Sequence, residues 1–192
     1  MQTRAEKQVR YMPATFRAVE NSGKRYIEGY FAVFGDVYNM FAGGSESIDP
    51  HAFDETLGDD IRCLVNHDTT LVMGRTKSGT YELRVDDHGL WGRVEVNEND
   101  TDATNCYARV ERGDVDQCSI GFVIEEEKHE VKPDGSVHWT LMRVRLMEGS
   151  IVTFPAYEQT SVKARMKEYE QIVQRRAEAW REKQKARITK WH

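Results

Sequence analysis

Ser119, His67 and Glu148 are a hydroxyl, an imidazole and a carboxylate, the three side-chain types that acyl transfer by an activated serine requires. Ser119 lies in Asp116-Gln117-Cys118-Ser119-Ile120-Gly121-Phe122-Val123-Ile124. Side chains of a strand alternate faces, so Cys118, Ile120, Phe122 and Ile124 form an apolar set, and Gln117, Ser119, Gly121 and Val123 point the other way. The hydroxyl therefore faces away from the predicted core, with a glycine two residues on that leaves room for an incoming backbone. The same parity ranks Cys118 below Ser119 as a nucleophile. The plainer reading of Ser119 is a small polar residue in a strand.

His67 follows the apolar run Ile61-Arg62-Cys63-Leu64-Val65, in Val65-Asn66-His67-Asp68. A histidine at the end of a buried strand can reach the neighbouring strand, and histidine is the side chain suited to taking a serine proton near neutrality; a structural histidine is the alternative. Glu148, in Leu146-Met147-Glu148-Gly149-Ser150, has the parity of Met142, Val144 and Leu146 and is expected on their apolar face. A carboxylate there needs a partner, either a histidine ring N–H or an ion pair with Arg143 or Arg145. Loop N–H groups or Arg75, close after His67, are candidate oxyanion donors. Cys63, Cys106 and Cys118 fit neither a disulfide framework nor a zinc spacing, so reduced thiols, no metal and no cofactor are expected.

The elements that must position these groups are mostly strands. Residues 25–34 are aromatic and β-branched, 80–85 and 90–96 flank the turn Asp86-Asp87-His88-Gly89, and 117–126 and 136–146 flank Lys132-Pro133-Asp134-Gly135. Short helices are expected over 49–57, from its Asp-Pro start, and over 100–110. From about 158 to 187 the chain has no Gly or Pro and is rich in Ala, Glu, Lys, Arg and Gln, which predicts a long helix. Its apolar seam of Val162, Met166, Tyr169, Val173, Ala177 and Trp180 suits docking on a partner, coiled-coil pairing or packing on its own domain. Hence residues 1–157 are read as a β-rich domain and 158–192 as a basic helical tail.

The 192 residues have net charge −5, and residues 163–192 hold ten Lys/Arg against four Glu, a balance of +6 that leaves −11 for the rest. Such asymmetry points to a charged partner or to the acidic body itself, rather than nucleic acid as a specific partner, because no base-reading motif accompanies it. No apolar run is long enough to span a membrane, and the basic N-terminus has no apolar stretch behind it, so a cytoplasmic protein is expected.

Taken in order, Gly29-Tyr30-Phe31-Ala32-Val33-Phe34-Gly35, Ile48-Asp49-Pro50-His51-Ala52-Phe53, Asn66-His67-Asp68 with Gly74-Arg75, Asp87-His88-Gly89-Leu90, Cys118-Ser119-Ile120-Gly121-Phe122 and Glu148 to Ala156 resemble the prohead maturation proteases of tailed bacteriophages. The resemblance covers roughly residues 14–158. The Asn-His-Asp segment and the serine strand are also similar to herpesvirus assemblins, which use a Ser-His-His triad; Glu148 stands where the third histidine would be. The resemblance implies an α+β fold, mainly an antiparallel β-barrel flanked by short helices. It implies a serine endopeptidase inside the assembling procapsid in the host cytoplasm. The substrates would be scaffold, the scaffold-like arm of the major capsid protein, and the enzyme itself; by analogy with the assemblins it would form a homodimer. A non-enzymatic capsid-assembly module docking through the C-terminal helix is the alternative.

Overall fold

The computed structural model describes residues 7–12, 16–154 and 159–189. The boundary expected at 157/158 and the motif residues Pro155 and Ala156 lie outside them. The elements are β1 (Gln8–Met12), β2 (Phe16–Asn21), β3 (Lys24–Val33), β4 (Tyr38–Phe41), β5 (Gly44–Ile48), β6 (Arg62–Val65), β7 (Asp68–Arg75), β8 (Tyr81–Val85), β9 (Gly89–Glu95), α1 (Thr101–Arg112), β10 (Gln117–Val131), β11 (Val137–Val152) and α2 (Gln159–Thr189).

Two open sheets share one core. The smaller is antiparallel, in the order β2-β3-β9-β8; the larger is mixed, β1-β10-β11-β5-β4, with β6 and β7 attached to a second stretch of β11. The fold is thus α+β as expected, but among the described residues the strands form two sheets and not the closed barrel that the resemblance implied. The reason lies in β11, whose one edge serves two parallel partners. Val137–Leu141 pairs with Gly44–Ile48, and Glu148–Ile151 pairs with Arg62–Val65. Phe31, Ile27, Leu90 and Val94 of the small sheet meet Cys118, Ile120, Phe122 and Ile151 of the large one in the core.

The gap left on that edge between Leu141 and Glu148 explains another departure from expectation. Residues 50–58 form successive turns and no helix. The Ala52 carbonyl, which a helix would give to Thr56 N–H, instead accepts from Val144 N–H at 3.0 Å, and Thr56 Oγ1 accepts from Leu146 N–H at 2.9 Å. Buried strand amides must find acceptors, and here that demand overrides the local helix signal. By contrast α1 forms as expected. Asp100 Oδ1 accepts from Asp102 N–H at 2.9 Å, a cap that stabilises by about 1 kcal/mol, and the chain leaves through Gly113 at φ 85°.

The long helix α2 also forms. Of its seam, Tyr169 packs edge-on against Phe41, and Met166, Val173 and Trp180 are exposed; beside the seam, Arg165 is completely buried. Its guanidinium bonds Glu46 Oε2 at 2.9 Å and Glu127 Oε2 at 2.5 Å and lies over the Trp139 ring. Glu46 also takes Arg10 Nε at 2.5 Å, so one buried carboxylate ties β1, β5 and α2 together. No helix among the described residues is long and apolar enough to cross a membrane.

Candidate active site

The site is assembled on β10 and β11 where they pair antiparallel. Ser119 lies directly opposite Ser150, and Gly121 opposite Glu148. Next to Glu148 the ladder is irregular, because Gly121 pairs with Glu148 while Phe122 pairs with Leu146, leaving Met147 as an extra residue. A bulge of this kind reverses the facing of everything beyond it. Leu146 therefore points into the core with Phe122, whereas Glu148 points to the face of Ser119 and Gly121. A Cβ built on Gly121 would lie 2.2 Å from Glu148 Oε1, which places the carboxylate on that face. The expectation that Glu148 shares the apolar face of Val144 and Leu146 is corrected by this one residue. Its ion-pair alternative is corrected too, since Arg143 and Arg145 pair with Glu125 and not with Glu148.

His67 is delivered by the turn between β6 and β7. Asn66 and His67 have φ values of 50° and 61°, left-handed conformations that cost non-glycine residues about 1 kcal/mol or more each. Local bonds offset that cost: Asn66 N–H donates to Ile151 O at 2.9 Å, Asn66 Oδ1 accepts from Thr153 N–H at 3.0 Å, and His67 N–H donates to Ser150 Oγ at 3.2 Å. β6 runs parallel to the end of β11, so the turn brings the imidazole over Glu148. Nδ1 lies 2.7 Å from Glu148 Oε1. A carboxylate only accepts, so Nδ1 carries the proton, and the lone pair of the neutral ring sits on Nε2. Nε2 is buried and has no hydrogen-bond partner among the described residues.

Glu148 is held from three sides. Besides His67, Lys7 Nζ lies 2.9 Å from Oε1, and Ser150 Oγ donates to Oε2 at 2.6 Å. Burial pushes its carboxyl up, but the bond and charge of His67 and the bonds from Ser150 and Lys7 outweigh it, and it lies below its ordinary value. The glutamate is therefore an anion. Ser150 and Lys7 escape a reading of the sequence; the spacing of Ser150, two residues from Glu148 on the same face, is the one signal that points to it.

Ser119 is completely buried, and its Oγ donates to the Arg10 carbonyl oxygen at 3.0 Å, a bond to β1 and not to His67. Cys118 faces the core, where its thiol donates to the Tyr30 carbonyl at 3.3 Å, and burial pushes its pKa far up, the reverse of an activated thiol. Arg75 is committed elsewhere: its Nε and Nη2 close on Asp60 at 2.6 and 2.5 Å and hold that carboxyl down at about 2. No cluster of three or more possible metal ligands occurs among the described residues. The arrangement is an imidazole oriented by a buried carboxylate, and on the strand paired with that carboxylate a buried hydroxyl whose hydrogen bond goes to a backbone carbonyl of β1.

Three comparisons bear on this geometry. Residues 13–175 match the family model described as caudovirus prohead serine protease. Over 141 residues the chain is 29% identical to the prohead protease of Enterobacteria phage HK97, a match that takes in 71% of this chain and 60% of that protein's length. The fold is similar to that of the bacteriophage T4 capsid assembly protease, with a TM-score of 0.50, 13% identity, and 78% of this chain and 99% of that one covered.

Proposed function

The chain belongs to the caudovirus prohead serine protease family, and from that premise we propose that it is a serine endopeptidase using Ser119, His67 and Glu148. His67 Nε2 takes the Ser119 proton as Oγ attacks the scissile carbonyl. Glu148 keeps the proton on Nδ1 and stabilises the imidazolium that forms; the imidazolium gives its Nε2 proton to the leaving amine as the peptide bond breaks, and water, losing a proton to the same Nε2, then releases the acyl group from Oγ. The observation that carries this reading is the imidazole itself, anchored through Nδ1 to a buried anion 2.7 Å away with Nε2 bare and buried. An unpartnered buried ring nitrogen costs free energy, and a base awaiting a proton is a reason to tolerate it. A module that merely docks capsid proteins gives no such reason.

The substrates we propose are scaffold or the scaffold-like arm of the major capsid protein, together with the enzyme itself, acted on inside the procapsid. Relatives named for the prohead and for capsid assembly support that setting. Co-expression with the major capsid protein, read by gel and intact mass, tests the proposal. Wild type and Cys118→Ala should process it, and Ser119→Ala and His67→Ala should not. Processing by folded Ser119→Ala at the wild-type rate would overturn the assignment.

A further inference from the structure

Two serines face each other across the ladder of β10 and β11, Ser119 and Ser150, and both are completely buried. The row continues outward, Ser150 pairing with Leu64 of β6 and Leu64 with Val72 of β7. Ser150 thus stands between the strand of the proposed nucleophile and the turn that carries His67. A hydroxyl has one proton to give and lone pairs with which to accept. Glu148 Oε2, 2.6 Å from Ser150 Oγ, is an ionised oxygen that can only accept, so the Ser150 proton goes there. The lone pairs take the His67 N–H at 3.2 Å.

We propose that Ser150 is a positioning residue, holding the main chain and the imidazole of His67 together through Glu148, and that it is not a second nucleophile. The inference rests on the serine endopeptidase reading above. The bonds form a closed ring: His67 N–H to Ser150 Oγ, Ser150 O–H to Glu148 Oε2, and His67 Nδ1–H to Glu148 Oε1 at 2.7 Å. With both ends of His67 held, the imidazole cannot swing away, nor the turn relax, without breaking one of the three. The main-chain end matters because His67 has φ 61°, a left-handed conformation that persists only where the surroundings enforce it. The carboxylate end matters because His67 and Lys7 share Oε1, so the donor on Oε2 is what sets the plane of the carboxylate.

The same bonds separate the two serines. The Ser150 proton is held by an anion, in the stronger, charge-assisted class of hydrogen bond, whereas the Ser119 proton is shared with a neutral carbonyl, that of Arg10. Releasing a proton to His67 Nε2 therefore costs less from Ser119. The strand itself does not depend on the Ser150 hydroxyl, because β10 and β6 pair with it on either side. Next to it Gly149 lies close on the core, where an added Cβ would come within 2.5 Å of Tyr81 Oη and 2.6 Å of Phe31 Cδ1. Ser150→Ala should fold with this ladder intact and lose only the ring of side-chain bonds.

The test is the second-order rate of Ser119 labelling by a fluorophosphonate, with the label located by peptide mass, in wild type, Ser150→Ala and Ser150→Thr. Thermal melts and the ring-nitrogen NMR resonances of His67 are recorded alongside. Ser150→Ala should keep a cooperative melt, label more slowly by about tenfold or more, and hold less of its neutral imidazole with the proton on Nδ1. Ser150→Thr, which restores the hydroxyl, should regain most of the rate and the tautomer. If the added methyl prevents folding, the Glu148→Ala background decides: Ser150→Ala should slow that variant much less than it slows wild type, and equal factors in the two backgrounds refute the positioning role. A folded Ser150→Ala protein that labels at the wild-type rate overturns the proposal, as does slow labelling with the tautomer unchanged, or a label found on Ser150. Those results leave the labelling of wild-type Ser119 standing. Absence of labelling in every folded form, wild type included, removes the serine endopeptidase reading itself, and the role of Ser150 with it.

Discussion

Replacing Glu148 by Gln changes one charge in the site with little change of shape, and the structure fixes how the amide should settle. Two donors, His67 Nδ1–H and Lys7 Nζ, converge on Oε1, while Ser150 Oγ alone meets Oε2. The amide oxygen belongs at the Oε1 position, and Ser150 can turn to accept from the amide N–H. The histidine then keeps its tautomer, and what is lost is the negative charge that stabilises the imidazolium. With both charges delocalised over their groups, their centres are about 4 Å apart, and at an effective dielectric constant near 20 the attraction is about 4 kcal/mol. Lys7 cancels part of it. The expected cost is therefore about 3 kcal/mol in activation free energy, a fall of roughly 10²-fold in the rate of Ser119 labelling. Glu148→Ala, which loses the anchor as well as the charge, should fall further. A folded Glu148→Gln protein that labels as fast as wild type refutes the role of the charge, and one as inert as Ser119→Ala refutes the amide orientation.

Gly121→Ala should fold, because the atoms its Cβ meets, Glu148 Oε1 at 2.2 Å and Lys7 Cε at 2.3 Å, are ends of flexible side chains. The carboxylate must nevertheless leave His67, and labelling should slow by about tenfold or more with little change in Tm; an unchanged rate would count against the geometry. Glu46 and Glu148 lie below their ordinary value of 4.5, so the stability they contribute is fully present above that pH and is lost as pH falls through their lower folded values. Denaturant unfolding from pH 6 to 3 should show that loss, and Glu46→Gln, destabilised at neutral pH by about 3 kcal/mol, should show a shallower one; identical slopes would refute it. Deleting Met147, an exposed extra residue, should regularise the ladder while leaving Glu148 opposite Gly121, so the deletion should retain far more activity than Glu148→Ala; equal loss would show that the bulge does more than set facing.

Much of the fold is legible because its signals are local. The hairpin of β8 and β9, the Asp100 cap and the glycine-free run of α2 each state their structure within a few residues, and each forms. What fails depends on distant partners. The segment 50–58 has a good helix start, but the amides of Val144 and Leu146, some 90 residues on, take its acceptors. The seam of α2 sets Tyr169 against Phe41, but the helix is also held by Arg165, outside that seam, because Glu46 and Glu127 converge beneath it and Trp139 gives the guanidinium a flat surface. Neither outcome can be read from periodicity, which counts residues and knows nothing of the groups waiting opposite.

The face that carries Ser119 and Glu148 shows the same limit more sharply. Parity separated Ser119 from Cys118, and both residues lie as alternation predicts, since the extra residue at the Gly121/Phe122 irregularity belongs to β11 and leaves the alternation of β10 there intact. Alternation also selected Glu148 as a carboxylate that burial would force to find a partner, and His67 is that partner at 2.7 Å. Strict alternation, however, places Glu148 with Leu146, on the side of the sheet away from Ser119. One unpaired residue, Met147, reverses that facing, and nothing in its type announces a bulge. The desolvation cost of a buried carboxylate is indifferent to which face it lies on, so the requirement for a donor survived the error in facing. Rules of periodicity place side chains only as far as the ladder stays regular, whereas the demand of a buried charge for a partner holds on either side of the break.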